Sequence, residues 1–177
     1  MNNKRILFAG AGGQGIVSLG KIVAQSALDD VPHLTYFPAY GAEVRGGTAN
    51  CQLVFSDKEI ATPVSEEFDY MLLLNQASLD KFINKATDDA KIVVDTTTCV
   101  NIPDDPRIHK VDATKLAAQL KNPRGANLIM LGALVKLDTN TFNVDSILKA
   151  IKAKFASKKE VVVQGNIACF KKGLELS

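Results

Sequence analysis

The residues that could do chemistry in this chain fall into two short segments. The first is Gly10-Ala11-Gly12-Gly13-Gln14-Gly15, which satisfies G-x-G-x-x-G between an apolar run and a stretch of helical apolar periodicity. Glycines at such a junction let the backbone turn tightly and approach a ligand, and the exposed N–H groups of a helix start attract an anion. Two readings stay open: a strand-to-helix turn that needs no ligand, and a cradle for an anion or cofactor. Gln14 adds a donor and an acceptor at the mouth of the loop, for a ligand or as a cap on the neighbouring backbone. A dinucleotide fingerprint would also require Asp or Glu roughly 20 residues further on. Phe37-Pro38-Ala39-Tyr40 supplies neither, nor an arginine for a 2′-phosphate, and no Lys-Ser/Thr pair follows Gly15 to make a P-loop.

The second segment is Pro38-Ala39-Tyr40-Gly41-Ala42-Glu43-Val44-Arg45-Gly46-Gly47. Its proline and glycines give turn chemistry, but Tyr40, Glu43 and Arg45 are more than a plain turn requires. Beyond these segments the catalytic inventory is thin. The two histidines are His33, at a strand start, and His109, in a Pro/Asp-rich stretch, and there is no nucleophile elbow or paired metal-binding histidine. Asp69, Asp95 and Asp112 stand at strand ends, where capping is the ordinary role. The three cysteines, Cys51, Cys99 and Cys169, are widely separated and form no CxxC, so they read as buried reduced thiols, not as a zinc or iron–sulfur set.

The elements that position these segments are read from periodicity. Arg5–Ala9 is a short apolar run, the pattern of a central strand buried on both faces. Ile16 to Leu28 form a helix with a broad apolar stripe, in which Gly20 and Ala24 allow close approach to the sheet, and Asp29-Asp30 with Pro32 stop it. Leu34–Phe37 is a second strand, ended by Pro38. From Thr48 the sequence alternates as a half-buried strand. Tyr70–Leu74 and Ile92–Val94 are further buried strands, separated by a helix around Ala77–Ala86. Helices then follow over Lys115–Leu120, Ala126–Leu137 and Val144–Phe155. Glu160–Val163 favours a strand by propensity, yet Val163, Ile167, Phe170 and Leu174 make a helical stripe, and the helix is preferred. This order implies an α/β protein, a three-layer α/β/α sandwich with a largely parallel, Rossmann-like central sheet and right-handed crossovers.

The 177 residues fit a single domain spanning 1–177, without repeat or linker. Hydrophobic residues at 46% and charged residues at 23% are ordinary for a globular chain. A formal net charge of +2 and 6% aromatics argue against nucleic acid. Lys149, Lys152, Lys154, Lys158 and Lys159 cluster around a helical pattern and read as a solvated face. No segment reaches the roughly 18 consecutive apolar residues of a membrane span, and the N-terminal run is too short for a signal peptide. A cytoplasmic location, with neither membrane nor nucleic acid as partner, is expected.

Taken together, the two segments resemble one family. Gly10–Ile16 and Tyr40–Gly47, with Asn127–Leu134 as an apolar helix and Asn166–Gly173 as a closing one, are similar to the γ subunit of the 2-oxoacid:ferredoxin (acceptor) oxidoreductases, which act on pyruvate, 2-oxoglutarate or branched-chain oxoacids. The resemblance spans essentially the whole chain, and the pairing of GxGGQG with GAEVRGG is specific where either alone is not. It implies a subunit of a complex that oxidatively decarboxylates a 2-oxoacid with coenzyme A to acyl-CoA, CO2 and reduced ferredoxin. Thiamine diphosphate, Mg2+ and iron–sulfur clusters would belong to partners: α and β subunits, the latter carrying thiamine diphosphate, and a ferredoxin-like subunit or domain, with ferredoxin as acceptor. This chain would bind no cofactor alone and hold no catalytic residue or metal. Gly10, Gly12, Gly13, Gln14, Gly15, Tyr40, Glu43 and Arg45 would form a shared coenzyme A or substrate site or a subunit interface, with Arg45 against a phosphate or carboxylate, or paired with Glu43 to fix the loop for docking. The alternatives are a stand-alone nucleotide-binding or regulatory α/β domain that uses Gly10–Gly15 directly, and a purely structural partner.

Overall fold

Strand β1 (Lys4–Ala11) is apolar on both faces, and that property sets the layering of the protein. The computed structural model describes residues 3–40 and 48–176, apart from the side chain of Tyr40. Ile6 and Phe8 enter one core, whereas Leu7 and Ala9 enter a second on the opposite side of the sheet, as the period-2 alternation of a strand dictates. After β1 come α1 (Ile16–Ala27), β2 (His33–Tyr40), β3 (Thr48–Ser56), β4 (Phe68–Leu73), α2 (Gln76–Phe82), β5 (Ala86–Asp95), β6 (Ile108–Val111), α3 (Ala113–Gln119), α4 (Ala126–Leu137), α5 (Val144–Phe155) and α6 (Glu160–Glu175).

The six strands form one mixed sheet in the order β2-β3-β1-β4-β5-β6. β1, β4, β5 and β6 are mutually parallel, and β3 runs antiparallel between β1 and β2. Helices flank the sheet, so the protein is an α/β fold. α1 and α4 share the larger core with Phe8, Leu53, Leu72 and Val93, and α3, α5 and α6 add their apolar residues to it. The smaller core is capped by Leu79 and Phe82 of α2. α4 is apolar nearly all round, with Leu128 to Val135 continuously buried, because α6 covers its outer side. Gly132 and Gly173 make that contact possible: a Cβ on Gly132 would strike the Phe170 carbonyl, and one on Gly173 the Ile129 carbonyl. Gly20 of α1 likewise faces Cys51 and Tyr36 of the sheet.

Several boundaries differ from the sequence expectation for physical reasons. β2 does not end at Pro38 but runs through it, pairing Pro38 with Cys51 and Tyr40 with Ala49. β2 is an edge strand, where a residue without an N–H costs no ladder bond. The helix expected to Ala86 ends at Phe82, a 3₁₀ turn follows at Ile83–Lys85, and Ala86 opens β5. His109 lies on the short strand β6, not in a loop. Glu160–Val163 is helical, as preferred above. Among the described residues no helix is long and apolar enough to cross a membrane.

A polar network closes the amino end of the sheet. The Tyr70 hydroxyl donates to Asp138 Oδ2 at 2.7 Å, Lys91 Nζ lies 3.3 Å from the same oxygen, and the Thr141 amide donates to Oδ1 at 3.2 Å. Burial alone would raise the Asp138 carboxyl, but the Tyr70 hydroxyl, the Thr141 amide and the Lys91 ammonium outweigh it and hold it at about 2, below its ordinary 3.8. Burial pushes the Tyr70 phenol up to about 12, and the Asp138 charge adds to the shift.

A carboxyl held low stabilises the fold fully above its unfolded value and loses that contribution as pH falls through its folded one. Asp138 should therefore contribute about 2 kcal/mol above pH 4, disappearing as pH falls through about 2. Urea unfolding between pH 6 and pH 2 checks this: Asp138→Asn should lose about 2 kcal/mol at neutral pH and show a correspondingly flatter acid limb.

Candidate functional site

The candidate site lies at the carboxyl edge of the sheet, where β1, β4, β5 and β6 end. Open α/β sheets bind ligands outside this edge, at the switch point where connections leave in opposite directions. Here that point is between β1 and β4: the chain leaves β1 through α1 toward β2 and β3 on one side, while β4 lies on the other.

The Gly loop turns at the end of β1, and Gln14 fills the switch point. Its Oε1 accepts from the Ala11 amide at 2.6 Å, and its Nε2 donates to the Leu74 carbonyl, just beyond β4, at 2.9 Å. The main chain tightens the same turn, with the Gln14 amide on the Ala11 carbonyl at 3.2 Å. Asn127, in the first turn of α4, donates from Nδ2 to the Gln14 carbonyl at 3.0 Å. One side-chain amide thus joins two strands, and a second ties the loop to the helix layer.

These bonds explain most of the glycines. A Cβ on Gly10 would meet Gln14 Oε1 at 2.6 Å. Gly13 and Gly15 have φ of +91° and +76°, the left-handed region that favours glycine. A Cβ on Gly15 would in addition lie 2.5 Å from Asn127 Nδ2. Gly12 is different: its φ is not positive, and a Cβ there would meet nothing within 4 Å.

The rest of this edge is fixed by carboxylates and hydroxyls. Asp95, fully buried at the end of β5, accepts from the Thr97 amide at 3.0 Å and from the Thr114 amide at 3.2 Å, capping α3. Thr98 Oγ1 donates to the Leu74 carbonyl at 2.8 Å, the oxygen that Gln14 also uses. Asp112 accepts from Thr96 Oγ1, and at the opposite, amino end of the sheet Asp69 accepts from Arg5 through Nε and Nη2. All three aspartates are thus engaged in holding the fold.

The register also locates the flanks of the second segment. Ala11 is opposite Thr48, and Tyr40 opposite Ala49, so the Tyr40–Thr48 connection leaves and rejoins the sheet beside the Gly loop. Glu43 and Arg45, with the remainder of 41–47 and the side chain of Tyr40, lie outside the described residues.

On the helix side of the Gly loop lies a cleft of about 290 Å³, bordered by Gly13, Gly15, Asn122, Arg124, Asn127 and Lys158. Its floor includes Leu19, Ile22 and Phe155, and its lining contains no carboxylate. Two cations at its rim and amide side chains on its walls suit an anionic group. All five lysines of the expected face are exposed, and of these Lys158 reaches this rim. Arg124 and Asn122 were not singled out from the sequence; the polar Asn127 at the head of an otherwise apolar helix is the signal that could have found them.

The thiols are out of reach of chemistry. Burial pushes Cys51 up to about 12 and Cys99 up to about 11, and raises Cys169. No three His, Cys, Asp or Glu side chains among the described residues come together as a metal site.

Comparison with known proteins follows this geometry. Residues 5–176 match the family described as pyruvate ferredoxin/flavodoxin oxidoreductase. The ketoisovalerate oxidoreductase subunit VorA of Methanothermobacter thermautotrophicus is 36% identical over 158 residues, covering 89% of this chain and 33% of VorA, so the chain spans about a third of that relative. The 2-oxoglutarate synthase subunit KorC of Methanocaldococcus jannaschii is 32% identical over 179 residues, covering 98% of this chain and 94% of KorC. Among solved structures, the keto/oxoacid ferredoxin oxidoreductase γ subunit of Geobacter sulfurreducens superposes with a TM-score of 0.82 at 26% identity, over 99% of this chain and 96% of that one. The 2-oxoglutarate:ferredoxin oxidoreductase of Magnetococcus marinus, solved with 2-oxoglutarate, coenzyme A and succinyl-CoA, gives a TM-score of 0.86 at 25% identity over 98% of this chain and 31% of that one.

The glycines of the loop should separate by experiment. Gly15→Ala meets both a left-handed backbone and Asn127, and should cost roughly 1–3 kcal/mol in urea unfolding. Gly12→Ala meets neither, and should stay within about 0.5 kcal/mol of wild type.

Proposed function

The chain belongs to the pyruvate ferredoxin/flavodoxin oxidoreductase family, and we propose that it is the γ-type small subunit, a single domain over 1–177, of a cytoplasmic 2-oxoacid:ferredoxin oxidoreductase. The complex would oxidatively decarboxylate a 2-oxoacid with coenzyme A, giving acyl-CoA, CO2 and reduced ferredoxin. The observation that carries this reading is the near end-to-end match to KorC, a small subunit of similar length.

Thiamine diphosphate, Mg2+ and iron–sulfur clusters would be supplied by α, β and ferredoxin-like partners. The residues of this chain do not fit a cluster: Cys51 lies beneath α1, Cys99 in the smaller core and Cys169 under α4, each in a separate buried place.

Its own contribution would be to bind and to orient. The carboxyl edge, with Gly10, Gly12, Gly13, Gln14 and Gly15 on one side and Tyr40, Glu43 and Arg45 on the other, would face the catalytic subunits and close over coenzyme A. Coenzyme A carries phosphates, and the cationic rim of Arg124 and Lys158 beside the Gly loop supports that assignment. Gln14 would act from behind: with both amide atoms committed to Ala11 and Leu74, it shapes the loop that the ligand meets. The same commitment disfavours a nucleotide seated at the switch point itself.

Steady-state kinetics of the assembled complex with Arg45→Ala in this subunit tests the reading. The KM for coenzyme A should rise at least about tenfold, as for loss of a charge-assisted contact, with the KM for the oxoacid little changed. Unchanged coenzyme A affinity and turnover would overturn the contact.

A further inference from the structure

Two cations at the cleft beside the Gly loop have no partner inside the fold. Of the three arginines among the described residues, Arg5 and Arg107 are held by carboxylates at 3.0 Å and 2.6 Å, whereas Arg124 is not. Lys158, at the same rim, is likewise without a carboxylate among the described residues. The walls between them are pinned by side-chain amides. Asn127 Nδ2, bound to the Gln14 carbonyl at 3.0 Å, ties α4 to the Gly loop. Asn122 Nδ2 donates to Asn166 Oδ1 at 3.3 Å, and Asn166 Nδ2 to the Val162 carbonyl at 2.9 Å, which ties the turn before α4 to α6. In Asn122 and Asn127 the nitrogen is thus spent, while Oδ1 takes no bond and is not buried. An oxygen acceptor repels a bare anion, so these two call for a part of the ligand that donates. Leu19, Ile22 and Phe155 add an apolar floor.

We infer that this cleft binds a phosphorylated nucleoside. Its phosphate meets Arg124 and Lys158, its sugar hydroxyls or ring amine donate to Asn122 and Asn127 Oδ1, and its base lies on the apolar floor. Both α1 and α4 begin at the cleft with no side-chain cap and no acidic residue in the first turn, which adds positive potential for the phosphate. A volume of about 290 Å³ stands at the lower bound of ligand pockets, roughly 300 Å³, which suits a nucleoside monophosphate and is too small for a whole dinucleotide. The occupant is a free nucleotide or the nucleotide end of a larger carrier, since both present the same chemistry. The cleft lies on the helix side of the loop, away from the switch point that Gln14 fills, and the inference stands independently of the function proposed above.

Calorimetric titration of AMP, GMP, CMP and UMP, each into the full 177-residue subunit, tests this. At least one should bind at a single site per subunit. Its nucleoside and inorganic phosphate, each carrying half of the recognised group, should bind at least about tenfold more weakly. Arg124→Glu and Lys158→Glu should each weaken the nucleotide at least about tenfold with the melting temperature unchanged. Lys149→Glu makes the same charge change outside the cleft and should stay within about twofold of wild type. Displacement of the nucleotide by coenzyme A would assign that carrier's nucleotide end, and no displacement a free nucleotide; either outcome supports the site. Binding of none of the four, phosphate bound as tightly as the nucleotide, or Lys149→Glu as damaging as Arg124→Glu would overturn it, with assembly of the subunit into its complex unaffected.

Discussion

The side-chain amide of Gln14 is the bond on which the carboxyl edge depends. A parallel sheet that reverses its winding between two neighbouring strands leaves a crevice there, and in this protein the crevice is occupied from within. The Gln14 oxygen takes the Ala11 amide, a donor costly to leave without a partner, and its nitrogen adds a second donor to the Leu74 carbonyl. By satisfying both, Gln14 sets the path of the loop, and the loop then dictates which positions must be glycine. The Thr98 hydroxyl adds its own bond to Leu74, so the loops after β1 and β5 share one acceptor.

The same arrangement explains a division of labour. Among the described residues the thiols are buried, Asp69, Asp95 and Asp112 are engaged in caps and ion pairs, and both histidines lie on strands. The carboxyl edge offers shape, backbone N–H groups and a cationic rim.

Much of this was legible in the sequence where one physical signal dominated. Ala126–Leu137 and Val144–Phe155 have the expected bounds because apolar periodicity over a long window outweighs local detail. The two signature segments stood out because glycines in that density have few other uses. The misread places were those where tertiary context decides. Pro38 would end an interior strand, yet an edge strand accommodates it. β6 is only four residues long and has exposed His109 and Lys110, too little pattern to see. The Gln14 cap on Ala11 is local and was among the readings, but its bond to Leu74 spans 60 positions and the tie from Asn127 spans 113, relations that no local pattern encodes.

Pro38 has one more consequence. β2 is a bare sheet margin, the kind of surface on which strands of separate molecules zip together into aggregates. A residue with no N–H in the middle of that margin breaks the row of donors that an incoming strand would have to match. Pro38 thus makes β2 a poorer template for a further strand than an edge with an unbroken row of donors would be.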